Sequence, residues 1–450
     1  MRVGGHFLQI NYLYPAAIRF GMKKVLIITY YWPPSGGAGV QRWLKFAKYL
    51  PEYGWQPIVL TVDPQYASYP QRDETLASEV HPDCLVYTTK SFEFYNLYKI
   101  ISGKKEVPYG GFANESKEGT LQKVSKFLRG NFLLPDPRKG WNKYALRKAV
   151  ELILQQKIDT IVTTSPPHST QLIGLKLKQK LNIHWIADLR DPWTDIYYYN
   201  QFRHTNWARK ADLKMERTIV ESADQLITVS EDVKRLFAEK SALPIAAKTV
   251  VIPNGFDEED FQNSLVTTES KKVITYTGTI SETYDVTSLL KALNRLPDQT
   301  KNSLLIRFVG KIPSPVADLF RETGIEVELV GYVDHSKSIE YLLRSDLLLL
   351  VIPKVINNRG ILTGKFFEYL ASGKPVLAIG PVDGDLNHII NETRCGQLFD
   401  YADDDGIFQY IRKKLEGTDT MVNSEQIEKY ARRQLTARIA ELLNASNPVS

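Results

Sequence analysis

The sequence predicts an α/β protein built from two doubly wound, Rossmann-like parallel sheets. Three observations carry that prediction. Short apolar, β-branched runs alternate with helix-length segments along most of the chain, as expected for strands buried on both faces and joined by helical crossovers. About six such runs fall on each side of a polar stretch at 250–272. A chain of 450 residues also exceeds what one hydrophobic core usually serves.

In the first half, strands are expected at 25–30 (VLIITY), 57–62, 160–165, 184–189 (HWIADL), 225–230 and 249–253. Between the first two, segment 38–50 sets Val40, Trp43, Leu44, Ala47 and Leu50 at helical spacing. The polar joint 253–272 opens on a Pro-Asn-Gly turn. Beyond it, strands are expected at 273–278, 304–310, 327–333, 346–353, 375–380 and 396–400, and a last helix at 424–444 is followed by no strand. The boundaries that follow are an extension at 1–21, a first domain at 22–252, a second at 253–423 and a terminal helix within 424–450. The apolar character of the first 21 residues is broken by Gln9, Asn11 and two tyrosines, so they do not read as a secretion signal. Residues 88–148 interrupt the first domain. They show no clear strand and many aromatics, and from Lys99 to Lys148 carry 12 Lys/Arg against 4 Asp/Glu. Within them, 121–135 is a basic amphipathic stretch that suits either a solvated helix face or attachment to an anionic membrane surface.

Composition narrows the function. Apolar content of 43% and charged content of 24% are those of a soluble globular protein. A net charge of +6 is mild and does not by itself suggest nucleic acid as a partner. Cys84 and Cys395 lie far apart with no metal-ligand spacing, and read as core thiols in a reducing cytosol. No apolar run of 18 residues occurs, so nothing is expected to span a membrane.

Ligands of such sheets bind beyond the carboxyl ends of the strands, where helices begin. The segment LTGKFFEYLASGKPVLAIG (362–380) reads as one such helix running into a strand. Its first N–H groups have no internal partner and sit at the positive end of the helix dipole. Gly364 admits a phosphate to the backbone beside Thr363, Lys365 adds a point charge, and Glu368 one turn on can accept two ribose hydroxyls. A nucleoside diphosphate fits this set; an ordinary helix start with a solvated glutamate fits it as well. After the first strand, Pro33-Pro34-Ser35-Gly36-Gly37 allows close backbone approach or an anion nest. It is neither a P-loop nor a complete dinucleotide fingerprint, since Arg42 stands where the third glycine would; this disfavours a nicotinamide dehydrogenase. Asp188, Arg190 and Asp191 crowd the end of a buried strand, where charge is costly unless paired or used. His168, in TTSPPHST, ends another strand. The acidic clusters at 383–385 and 403–405 precede helices and read as caps, and no metal site is expected.

Together these motifs resemble the GT-B glycosyltransferases, specifically retaining family 4, over most of 22–445. The resemblance rests on the Gly36-Gly37 loop, SADQLITVS followed by VVIPNGFD, YTGTI, RFVG, VGYV and above all TGKFFEYLASGKPVLAIG. SPPHS and DLRDPW are similar to a subgroup that builds bacterial surface polysaccharides. The resemblance implies a nucleotide sugar as co-substrate, with no further cofactor and no metal. Gly310-Lys311 and Tyr332-Val333 would border the base, Gly278-Thr279 would belong to the donor face, Thr363, Gly364 and Lys365 would hold the diphosphate, and Glu368 the ribose. The first domain would take a glycan or lipid-linked acceptor, the final helix would cross back to it, and the protein would be cytoplasmic and peripheral at the inner membrane face. Two departures stand out. Gly360 occupies the place of a glutamate that commonly contacts the donor sugar, leaving Asn357, Asn358 or Arg359 as substitutes. TGTISETYD also lacks the family's Arg and Lys, so Lys365 or Arg359 must supply phosphate charge.

The expected reaction is therefore glycosyl transfer with retention. Asp191 with Asp188 would contact the acceptor hydroxyl or act as general base, Arg190 would orient them or touch phosphate, and His168 is a further candidate. A non-catalytic nucleotide-sugar binder, or an epimerase of the same fold, are the competing readings.

Overall fold

The computed structural model describes residues 21–92, 120–262, 269–281, 283–417 and 423–445. Apart from Gly21, the expected N-terminal extension lies outside these residues, as does the 93–119 part of the basic insertion.

The strands are β1 Lys23–Ile28, β2 Trp55–Val62, β3 Leu85–Thr89, β4 Thr160–Ser165, β5 His184–Leu189, β6 Gln225–Thr228 and β7 Thr249–Val251, then β8 Lys272–Thr279, β9 Leu304–Lys311, β10 Glu326–Gly331, β11 Leu347–Val351, β12 Val376–Ile379 and β13 Gly396–Phe399. They form two parallel sheets, in the orders β3-β2-β1-β4-β5-β6-β7 and β10-β9-β8-β11-β12-β13. In each sheet the strand order reverses once, between β1 and β4 and between β8 and β11, and the crevice at such a reversal is where ligands bind. The loops carrying Gly36-Gly37, His168 and 353–363 leave from three of these four strands, and Gly278-Thr279 end the fourth, β8.

Apolar alternation shows why the strands read as continuous runs. In β1, Leu26 and Ile28 pack into one core while Val25 and Ile27 pack into the core on the opposite face. In β11, Leu347, Leu349 and Val351 divide in the same way from Leu348 and Leu350. Both faces of each sheet are covered by helices, so no polar face remains.

Two expectations need correction. β3 adds a seventh strand to the first sheet; it is an edge strand whose five residues are all half-buried, so LVYTT lacks the uniform apolar character of its neighbours. The terminal helix is two helices, Ser424–Glu428 and Arg432–Ala445. It breaks where Ala431 bridges Phe256 and the Arg432 N–H donates to the Phe256 carbonyl at 2.7 Å. The second piece does cross back: Leu435, Ile439, Ala440 and Leu443 join the core that holds Val40, Trp43, Leu44 and Ala47.

The helix Ala38–Tyr49 grips the chain between the lobes. Arg42 donates to the Pro253 and Ile252 carbonyls at 3.0 and 2.9 Å, and Lys45 pairs with Asp257 at 2.7 Å and Asp260 at 3.1 Å.

A candidate active site between the lobes

The helix Gly364–Ser372 begins at Thr363, whose backbone is extended and whose side chain caps nothing. A Cβ built on Gly364 would meet nothing within 4 Å, so the helix start faces open space. Lys365 donates to the Tyr276 hydroxyl at 2.7 Å and its ammonium lies 4.0 Å from that ring's centre. Burial drives its pKa down to about 7, against the pull of Glu368. No carboxylate forms an ion pair with it among the described residues. Lys365 also lies against Gly278, where a Cβ would come within 3.2 Å of Nζ. Gly278 and Gly310 are register partners, as are Thr279 and Lys311, and Gly310 has a positive φ of 132°. A Cβ on Gly310 would strike the Gly278 carbonyl at 2.2 Å. The structure therefore brings Gly278, Thr279, Gly310, Lys311, Thr363, Gly364 and Lys365 to one edge of the second sheet. Glu368 is half-buried and accepts a hydrogen bond from His335 Nε2 at 3.0 Å. Tyr332 is exposed beside Val333 and reaches across the cleft to the Gln71 amide.

Across the cleft, Gly37 has a positive φ of 87° and open space at its Cβ position, and it precedes the Ala38–Tyr49 helix. Gly36 is held against 71–73 by its N–H to the Gln71 carbonyl at 3.0 Å. Arg190 is almost fully buried and donates to three backbone carbonyls, Ser165 at 2.9 Å, Gly39 at 3.2 Å and Pro166 at 3.4 Å. Burial lowers its pKa, and Asp191 and Asp188 oppose that shift. The guanidinium thus ties the ends of β4 and β5 to the first turn of the Ala38–Tyr49 helix. The Asp191 carboxylate takes no hydrogen bond from the described residues; burial raises its pKa, Arg190 lowers it and Asp188 raises it further.

Asp188 does not meet an acceptor. It is fully enclosed and takes Arg42 through two nitrogens at 3.0 and 3.1 Å, Trp43 Nε1 at 2.7 Å and Thr164 Oγ1 at 2.8 Å. Its lone pairs are used in locking the first helix to β4, β5 and the interlobe chain. His168 stacks on Trp193 with ring centres 4.5 Å apart and lines a recess with Tyr31, Arg129, Tyr198 and Asp212. Burial, with Arg190 and Lys240, drives its pKa down to about 3, so it is a neutral ring and a poor proton acceptor. Arg359 is tied to Asp383 at 2.6 Å. Gly360 touches the other lobe: a Cβ there would lie 2.8 Å from Ser230 Oγ. Asn357 donates to the Asp195 carbonyl at 3.0 Å, and Asn358 to the Pro353 carbonyl at 3.0 Å.

Two family models match the chain one after the other, Glycosyltransferase Family 4 over residues 112–260 and Glycosyl transferases group 1 over 257–434. The chain belongs to the GT-B glycosyltransferases of family 4. It is a retaining glycosyltransferase that uses a nucleotide sugar. No curated protein matches this glycosyltransferase in sequence. Solved structures share its fold at low identity. A glycosyltransferase from Rickettsia africae is 16% identical with a TM-score of 0.60, over 96% of this chain and 100% of that one. Sucrose-phosphate synthase from Thermosynechococcus elongatus gives 16% and 0.60, over 94% and 98%. HepE of Anabaena in complex with UDP-glucose gives 14% and 0.58, over 94% and 99%.

Several residues of the glycosyltransferase site escaped the sequence. Tyr276 sits inside a β strand and gave no sign that its hydroxyl would hold Lys365. His335 follows VGYVD and was hidden by the motif around it. In the 383–385 cluster, Asp385 was expected to cap its own helix. Its side chain instead accepts the N–H groups of Glu231 and Asp232, at 3.1 and 3.0 Å, from the helix Glu231–Lys240 of the other lobe. Asp403 does cap its own helix, through the Gly406 N–H at 2.8 Å.

Proposed function

We propose that the second lobe binds the nucleoside diphosphate sugar and that the first presents a glycan or lipid-linked acceptor, in the assembly of a surface polysaccharide. The observation that carries this reading is Lys365: a half-buried amine with no carboxylate ion pair among the described residues, standing beside an uncapped helix start and the two positive-φ glycines Gly278 and Gly310 at the ends of their strands. A diphosphate supplies the missing negative charge to all of these groups at once. As the sugar departs, charge grows on that diphosphate, and donors already aimed at it lower the barrier without reorganising. Arg190 adds a buried cation from the opposite side of the cleft. Asp191 is the carboxylate left to contact the acceptor hydroxyl, and the recess beside His168 is where the acceptor is held. HepE was solved with UDP-glucose, which makes a uridine donor the first to test.

The helix Thr120–Phe132 turns Val124, Phe127, Leu128 and Phe132 outward, and Trp207 is 70% exposed. With the basic composition of this region, these side chains favour peripheral contact with an anionic membrane. Among the described residues no helix is long and apolar enough to cross one. Sedimentation with anionic vesicles at low salt tests the contact; protein left entirely in the supernatant would count against it. The donor reading is tested by thermal shift of the purified protein against a panel of UDP- and GDP-sugars. A donor stabilises the fold by mass action, and Lys365→Ala is expected to shrink the shift severely while leaving weaker binding at high nucleotide concentration. An unchanged shift in that variant would refute the assignment.

A further inference from the structure

Glu368 is the carboxylate placed to meet the ribose, yet it is already engaged. His335 Nε2 lies 3.0 Å from Glu368 Oε1, while Oε2 takes no hydrogen bond from the described residues. The other ring nitrogen, Nδ1, is 4.0 Å from Asp260. Asp260 in turn pairs with Lys45 of the first lobe at 3.1 Å. A line of alternating charge therefore runs from the first lobe through the interlobe chain to the ribose carboxylate. His335 begins the helix His335–Leu343, so its position follows directly from the end of β10 and its turn.

Resting on the donor site proposed above, we propose that His335 is the positioning residue for ribose recognition: it holds one oxygen of Glu368 so that the other, charged and correctly turned, meets the 2′ and 3′ hydroxyls. A carboxylate on a flexible side chain loses rotamer freedom when it binds, and a partner that fixes it beforehand removes that cost at the moment of binding. A protonated histidine also favours the ionised carboxylate over the neutral one. The groups facing the ring are Glu368, Asp260 and, behind Asp260, Lys45; on its own helix, Lys337 and Glu340 pair with each other. Burial opposes the positive charge, but the hydrogen bond to Glu368 and the charges of Glu368 and Asp260 outweigh burial and Lys45, pushing the pKa up to about 9. Below that pH His335 is charged in the folded protein; above it the charge is lost and the support for Glu368 weakens.

The test measures, by calorimetry, binding of UDP and GDP and of the 2′,3′-dideoxy form of whichever binds. The ratio of the two affinities isolates the ribose from the phosphates. In the wild type the hydroxyls are expected to be worth about tenfold or more, as hydrogen bonds to a charged group. His335→Ala should shrink that ratio to within about twofold of unity, as Glu368→Ala should. His335→Gln keeps a neutral donor: its ratio should be intermediate and flat with pH, whereas the wild-type ratio should fall as pH rises through 9. A full ratio in His335→Ala, with Glu368→Ala losing it, overturns the role of His335 and leaves the donor site standing. If the wild type binds neither UDP nor GDP, the donor site itself is wrong and this inference goes with it. Should His335→Ala misfold by circular dichroism, the Gln variant decides: a ratio equal to wild type at every pH overturns the proposal.

Discussion

Asp188 accepts from Arg42, Trp43 and Thr164 at the end of β5, whereas the carboxylate of Asp191, just beyond, accepts no hydrogen bond from the described residues. Sequence alone grouped them; the difference lies in which way each side chain leaves the strand end. Removing one partner of a buried ion pair leaves the other charge uncompensated, typically at a cost of about 3–5 kcal/mol. Asp188→Ala should therefore lower stability by roughly that amount in a denaturant titration, through Arg42. Asp191→Asn should leave stability nearly unchanged and reduce turnover by about 10²-fold or more; loss of stability with turnover intact would reverse the two roles. Lys365 makes a prediction with a definite sign. Its amine, held at about 7 by burial, is mostly neutral at pH 8.5 in the free protein. A bound diphosphate favours the charged form and raises that pKa, so binding takes up a proton. Calorimetry of UDP binding at pH 8.5 in buffers of different ionisation enthalpy should show uptake approaching one proton, absent in Lys365→Met. Proton release on binding would contradict the placement of the phosphates.

At the scale of single elements, the helix Gly364–Ser372 shows how glycine and function are joined. The space beyond Gly364 is empty, so Gly364→Ala should alter stability by no more than about 0.5 kcal/mol. The added methyl group would stand where a phosphate must approach the backbone, so donor affinity should fall by an order of magnitude or more. Equal affinity in that variant would place the diphosphate elsewhere. The strands flanking the two switch points were legible because burial on both faces favours runs of apolar and β-branched residues. β3 was not, because an edge strand with half-buried residues carries no such signature. The break before Arg432 was also hidden. Residues 424–444 keep helical composition throughout, and the interruption comes from Ala431 joining Phe256 far away in sequence. Within the site, Gly278, Gly310 and Lys365 were legible as strand-end and helix-start residues, but their meeting was not. It depends on the register of β8 with β9 and on a tyrosine hydroxyl that no local pattern marks.

Across the whole molecule, the two lobes meet on the rim of the cleft through contacts that a few residues control. Asp385 seats on the start of the Glu231–Lys240 helix, Asn357 reaches the Asp195 carbonyl, Gly360 lies against Ser230, and Tyr332 meets Gln71. A carboxylate on bare helix N–H groups is worth about 1 kcal/mol. An equilibrium between closed and open lobes whose states differ by a few kcal/mol is therefore sensitive to this contact. Asp385→Ala combined with Asn357→Ala should shift the unliganded protein toward the open form. On the donor site proposed above, a saturating nucleotide that spans the cleft should draw it closed again. Small-angle scattering reads this directly: a larger radius of gyration for the double variant, returning toward the wild-type value with UDP. Gly360 makes the complementary case. A side chain at 360 would have to share space with Ser230, so Gly360→Glu should expand the molecule even with nucleotide present. If instead that variant stays as compact as the wild type, the contact between residues 360 and 230 is not part of the closed state. The departure from the family's usual glutamate would then need an explanation other than the packing of one lobe on the other.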